Sequence, residues 1–340
     1  MPLPNRRFEP RVSRRDLFGM SAAGVGAAVL GSTGRAQAEA DAPAPSAEDN
    51  VGHYHTTVGK LRVTLLNDGH FFFDPMHPTL GGNVAPENFA TAVEAARMPA
   101  DGVSDIHAAL VRHGDRVVLI DAGSGDTFAP TTGKLMSRLA ASGVQPEDVT
   151  DVVVTHAHLD HVGGLMLPDS GGPAFPNATV HVAQAEHDFW RSDPEMAKTD
   201  LPDAMKQMVI RIANAAFDAV SDRLQLFDGG VERELLPGIT AVPAPGHTPG
   251  HTAFLIQDGD EQLLFVGDAI FFVPVLTSNP DWYVAFDTDP QAGAAARFKL
   301  MDRIASDRLR ISGSHLPFPA FAQLTRAGAG FNYHPEPWRF

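Results

Sequence analysis

From residue 60 onward, short apolar runs alternate with turns. Runs at 61–66, 106–112, 116–120, 152–155, 179–183, 239–243, 251–257 and 262–266 have the length and bounding residues of strands. Some alternate apolar with polar and others are continuously apolar, as expected of sheets buried on one face or on both. Helical spacing of apolar positions falls between them, at 88–97, 134–142, 204–219 and 290–306. Gly114-Asp115, between two of the strand-like runs, marks a hairpin. The two kinds of element interleave without a linker or a short repeat, so residues 53–340 read as one mixed α/β unit.

The beginning of the chain follows a different pattern. Arg6, Arg7, Arg11, Arg14 and Arg15 precede a mildly apolar, Gly/Ala-rich stretch over 17–30, and Ala36-Gln37-Ala38 has the form of a cleavage site. Ser13-Arg14-Arg15-Asp16-Leu17-Phe18 resembles the twin-arginine export signal. Residues 1–38 therefore read as an address directing the protein to the periplasm or beyond. Residues 39–52, rich in Ala, Pro and acidic side chains, read as a disordered leader.

Composition narrows the chemistry. The formal charge is −15, and the six Arg of the first 38 residues leave the remainder more acidic still. Such a surface repels phosphate backbones and anionic lipid, which argues against nucleic acid or membrane as partner. With no cysteine in the chain, thiolate nucleophiles and thiolate metal sites are excluded, so any metal must sit on His, Asp or Glu.

The segment Thr155-His156-Ala157-His158-Leu159-Asp160-His161-Val162-Gly163-Gly164 follows the apolar run directly. A buried strand that ends in four potential ligands holds them on a rigid element. The alternation of His156 and His158 sends both rings to one side, and the next turn brings Asp160 and His161 to a neighbouring point. Two adjacent metal ions fit that arrangement.

This segment resembles the signature of the metallo-β-lactamase superfamily. That resemblance implies a four-layer αββα sandwich, two mixed β-sheets flanked by helices. It also implies three later ligands: His247 in Pro245-Gly246-His247-Thr248-Pro249-Gly250-His251, Asp268 in Val266-Gly267-Asp268, and His315 in Gly313-Ser314-His315. One ion would lie on His156, His158 and His247, the other on Asp160, His161 and His315, with Asp268 bridging. The ions would be divalent, zinc first, although manganese, cobalt and iron accept the same donors. Asp121, after the run 116–120, would support a ligating His from behind. Asp160 and Asp268 would be the catalytic carboxylates, Asp160 orienting the attacking hydroxide or moving its proton. Among the remaining histidines, His251 is notable because it lies four residues after a ligand.

Within the superfamily, the bridging carboxylate separates this chain from β-lactamases. Ligand order, ligand spacing and His315-Leu316-Pro317-Phe318-Pro319 resemble methyl parathion hydrolase and its relatives, which implies a homodimer acting on small uncharged aryl phosphotriesters, aryl esters or lactones. Acyl-homoserine lactonases are the alternative; they commonly carry a Tyr shortly after the bridging Asp, where this chain has Ala269-Ile270-Phe271-Phe272. An iron-dependent oxidoreductase, such as a persulfide dioxygenase, is the alternative of another class. Phe128, Trp190, Phe271, Phe272 and Phe318 are the candidate walls of an apolar substrate pocket.

Overall fold

The computed structural model describes residues 50–99, 101–199 and 201–339. The expectations for 1–38 and for most of 39–52 lie outside these residues. Among the described residues, fourteen strands form two seven-stranded sheets, each assembled in chain order. The first sheet runs β1 (His53–Val58), β2 (Leu61–Phe72), β3 (Val103–His113), β4 (Arg116–Ile120), β5 (Asp151–Val153), β6 (Thr179–Ala183) and β7 (Leu224–Phe227). It is antiparallel up to β4 and parallel from β4 to β7. The second sheet contains β8 (Arg233–Leu236), β9 (Ile239–Pro243), β10 (Thr252–Asp258), β11 (Glu261–Phe265), β12 (Arg310–Ser312), β13 (Phe321–Ala327) and β14 (Gly330–Pro335), and only β11 and β12 pair in parallel.

Strand periodicity divides the core. In β2, Leu61, Val63 and Leu65 enter the layer between the sheets, whereas Leu66 faces outward to the helices. The same division separates Val118 and Ile120 from Leu119 in β4, and Val153 from Val152 in β5. In the second sheet Phe254 pairs with Phe265 and Ile256 with Leu263, which puts these four on one face and Leu255 and Leu264 on the other, all of them in the same buried cluster. Each fully buried side chain of this kind contributes about 1.5–3 kcal/mol relative to exposure.

Helices close both outer faces. Helix α1 (Pro86–Ala95) packs through Phe89 and Val93 into a separate cluster with Phe73, Phe272 and Trp282, and over the first sheet lie α2 (Leu135–Ala141), α3 (Gln184–Arg191) and α4 (Asp203–Ala219), of which α2 and α4 supply Leu135, Leu139, Val209, Ile210 and Phe217 to its outer core. Over the second lies α5 (Pro290–Asp307), packed through Leu300, Met301 and Ile304. Its start is set by Asp289, whose carboxylate accepts the N–H of Ala292, with Pro290 at the first helical position. This is the four-layer αββα sandwich expected from the sequence. Gly114-Asp115 joins β3 to β4 as a hairpin, also as expected. The consequence for the site is positional: β4, β5 and β6 run parallel, so the loops after β4 and β5 leave the same sheet edge and meet those after β9, β11 and β12.

Candidate metal centre

The chain leaves β5 at Val153, and an irregular segment with bends at Thr155 and His158 leads into a single helical turn, Leu159–Val162. The structure brings together all seven side chains expected as ligands, and each is nearly or wholly buried. Nε2 of His156, Nδ1 of His158 and Nε2 of His247 form a triangle with edges of 3.0, 3.1 and 2.9 Å. Beside it, Nε2 of His315 lies 3.3 Å from Asp160 Oδ2, and Nε2 of His161 lies 3.5 Å from the same oxygen. Asp268 spans the two groups. Its Oδ1 is 3.3 Å from His161, and its Oδ2 is 3.0 Å from His315, 3.5 Å from His247 and 3.8 Å from His156.

The outer ring nitrogens fix how three of these rings point. Nδ1 of His247 donates to Asp287 at 2.8 Å, Nδ1 of His161 to Asp121 at 2.8 Å, and Nδ1 of His315 to the carbonyl of Asp105 at 2.7 Å. Their Nε2 lone pairs are thereby turned inward. His161 Nε2 and Asp268 Oδ1 are buried without any hydrogen-bond partner. A tetrahedral ion with bonds of about 2.0 Å holds its ligand atoms roughly 3.3 Å apart, close to the edges of the triangle. The donors therefore fit two cations. Imidazole and carboxylate suit zinc, manganese, cobalt and iron alike.

The electrostatics agree. Burial, followed by the neighbouring histidines, holds His156 and His158 well below the ordinary imidazole range, which keeps them neutral as ligands must be. Burial also lowers His315, but Asp268 and Asp160 more than reverse it and raise the ring to about 10. His161 is raised in the same way by Asp268, Asp160 and Asp121. The two carboxylates thus create a field that demands positive charge between them.

Other residues hold this arrangement in place. Asp121 adopts a left-handed φ of 62°, which turns its carboxylate back over the end of β4. There Oδ1 accepts the N–H of Thr155 and Oδ2 its hydroxyl, both at 2.8 Å, in addition to the bond from His161. His251 accepts the backbone N–H of Asp268 at 3.0 Å. Gly267 permits this contact, because a Cβ there would lie 2.7 Å from His251 Nε2. Asp287 carried no local signal in the sequence. Its other oxygen meets the buried Arg297 at 3.3 Å, and Arg297 also binds the carbonyls of Pro280 and Trp282.

Above the cage opens a cavity of about 300 Å³. His158, Asp160, His247, Asp268 and His315 form its floor; Phe71, Phe128, Phe271 and Phe286 face Met205 and Met208 of α4 across it. Phe128 and Phe271 therefore stand where the sequence placed them. Three other aromatics do not. Trp190 is fully buried, bonded through its indole N–H to Glu186 at 2.6 Å, and lies behind His158 away from the cavity. Phe272, at a left-handed φ of 47°, turns into an aromatic cluster with Phe73 and Phe89. Phe318 is drawn off by a bond from its N–H to Asp105 and packs on His107 and Trp338. Proximity in sequence to a ligand was an uneven guide: Phe271, soon after Asp268, lines the cavity, whereas Phe318, soon after His315, does not.

A carboxylate-bridged histidine cage, set at the joined edges of two mixed sheets in an αββα sandwich, leaves little room for another family. The chain belongs to the metallo-beta-lactamase superfamily, whose family model matches residues 101–315. It is similar to an N-acyl homoserine lactonase of a Bacillus species, 27% identical over 36% of this chain and 39% of that protein. It is also similar to the N-acyl homoserine lactonase AttM of Agrobacterium fabrum, 29% identical over 44% of this chain and 53% of that one. These matches span roughly half or less of the curated relatives' own length. Among solved structures it resembles AidC, a dizinc quorum-quenching lactonase, with a TM-score of 0.79 and 28% identity over 85% of this chain and 99% of that one. It also resembles the hydrolase AbOPH of the β-lactamase superfamily, with a TM-score of 0.76 and 27% identity over 86% and 99%. The Bacillus and Agrobacterium relatives are N-acyl homoserine lactonases, not specifically methyl parathion hydrolases.

Proposed function

We propose that this chain is a metal-dependent hydrolase that opens lactones, with N-acyl homoserine lactones as the substrate class and two divalent ions, zinc foremost, as cofactor. The observation that carries this reading is the junction of a carboxylate-bridged cage with an apolar cavity. Among the described residues, the cavity wall has no Lys or Arg, and its polar groups outside the cage are Asp74 and Thr79. A substrate suited to it is uncharged, bears an apolar tail and presents a carbonyl to the floor. Anionic substrates would meet Asp74, Asp160 and the acidic chain. The names of the relatives support the same class.

When bound, the ions supply Lewis acidity and a water acidic enough to attack at neutral pH. The chain's own groups do the rest. Asp160 belongs to both the cage and the cavity wall, where it accepts the proton of the attacking water. Attack at the carbonyl carbon breaks the ring C–O bond. The proton held by Asp160 then passes to the ring oxygen, leaving a hydroxyl and a carboxylic acid that releases its own proton to solvent as the carboxylate. Phe71 and Phe271 seat the substrate, and the apolar wall excludes bulk water.

One observation favours a second reading, hydrolysis of aryl phosphotriesters: among the described residues no Tyr lines the cavity, and Phe271 is the aromatic that follows Asp268 into its wall. Initial rates on N-hexanoyl homoserine lactone, an aryl phosphotriester and an aryl ester decide between the two. The proposal requires the lactone to have the highest kcat/KM; a phosphotriester in that place replaces it. Export through the twin-arginine route is a companion proposal, supported by Arg14-Arg15 and tested by fractionating cells for the mature chain.

A further inference from the structure

Glu186 on α3 is a buried carboxylate that neither belongs to the cage nor lines the cavity. Its Oε1 accepts the backbone N–H of Ala157 at 2.8 Å and the indole N–H of Trp190 at 2.6 Å. Its Oε2 accepts the hydroxyl of Thr248 at 2.6 Å and the N–H of Gly250 at 3.0 Å. Four donors fill the acceptor positions of one carboxylate, which offsets the cost of burying it.

The identity of the partners gives this residue its interest. Ala157 is the peptide between His156 and His158, and Thr248 and Gly250 follow His247. One side chain therefore ties together the two segments that supply the first triad. It also acts on a ring: Trp190, fixed by Oε1, lies edge-on to the His158 ring with centroids 5.6 Å apart and planes at 66°. His158 is the ligand most in need of such help. His247, His161 and His315 each have the distal nitrogen held by a carboxylate or carbonyl, whereas His158 faces the triangle with Nδ1. Among the described residues, nothing bonds its Nε2. Gly250 makes the approach possible, since a Cβ there would lie 2.2 Å from the Glu186 nitrogen.

We propose that Glu186 is a positioning residue for one metal: its carboxylate sets the spacing of the His156–His158 and His247 segments, and the rotation of the His158 ring, and thereby governs the affinity of that triad. The inference rests on the dinuclear reading above. The other group, Asp160, His161 and His315, is held separately by Asp121 and the Asp105 carbonyl, and is independent of Glu186.

The test is chelator competition on purified holoprotein, read as zinc released per chain, together with thermal unfolding of the metal-free form. Wild type is measured first, and fewer than two equivalents there would defeat the dinuclear reading itself, whatever the variants do. In Glu186→Gln an amide N–H₂ faces two donors. One equivalent should then release at a chelator activity lower by roughly 10–100-fold, with the second equivalent unchanged. Thr248→Val removes one bond, keeps the carboxylate and carries the same test if Glu186→Gln does not fold; it should weaken the same single equivalent. The inference is overturned if both equivalents keep wild-type release in Thr248→Val. It is equally overturned if both weaken together while the metal-free protein loses thermal stability, the behaviour of a merely structural carboxylate.

Discussion

Nδ1 of His247 donates to Oδ1 of Asp287 across 2.8 Å, with both side chains almost wholly buried. The bond fixes the ring so that its bare Nε2 faces the cage, and Asp287 is itself held by Arg297. An imidazole ligand oriented by a carboxylate is a stronger and better-aimed base than a free one.

Asp287→Asn removes that charge while keeping the shape. We expect zinc affinity and kcat/KM to fall by roughly 10–100-fold, with the far-ultraviolet circular dichroism unchanged. Titration with zinc alongside initial rates checks this, and wild-type values in both would remove Asp287 from the account.

Asp268→Asn and His158→Ala are expected to abolish turnover and leave the fold intact. Asp268 lies within 3.8 Å of four histidine nitrogens, so its loss affects both groups at once. Rates and circular dichroism on the two variants are the readouts; retained activity in both would refute the site.

The cavity makes a contrasting pair. Phe271 lines it, whereas Phe318 packs on His107 and Trp338. Phe271→Ala should raise KM for the preferred substrate several-fold, and Phe318→Ala should leave KM unchanged. The opposite ranking would mean that the substrate approaches from another side.

A pH effect is expected away from the cage. Burial raises the Asp151 carboxyl, but bonds from His181, Thr150 and Arg116 more than offset this and hold it below the ordinary range. A depressed carboxylate contributes stability above its unfolded value of about 3.9 and loses it as pH falls through the folded value. Asp151→Asn should therefore lower Tm at pH 7, with the gap to wild type closing below about pH 4. A gap independent of pH would show that packing, not charge, is responsible.

Much of this was legible in the sequence, for a local reason. Strands 116–120, 179–183 and 239–243 have the same bounds in the structure, because short, mostly apolar and mostly buried runs closed by turns have few other readings. Strands β1, β8 and β14 carried no such pattern: they lie at or beside sheet edges and are half polar, as in His53-Tyr54-His55-Thr56. The ligands were legible because four of them cluster within six residues and the others match a known order. Asp287 and Glu186 were not, since each acquires meaning only from partners 40 residues away for the first and 29 and 62 for the second. The aromatics fared worst, because an apolar side chain bears no mark of which side of its loop it will face.

The central claim is that two cations at this cage perform the hydrolysis. Metal content per chain, measured with lactone turnover before chelation, after chelation and after zinc is restored, tests it most directly. The account predicts two equivalents of metal, turnover lost with their removal, and recovery on reconstitution. Fewer than two equivalents in the active protein, or turnover that survives their removal, would contradict it.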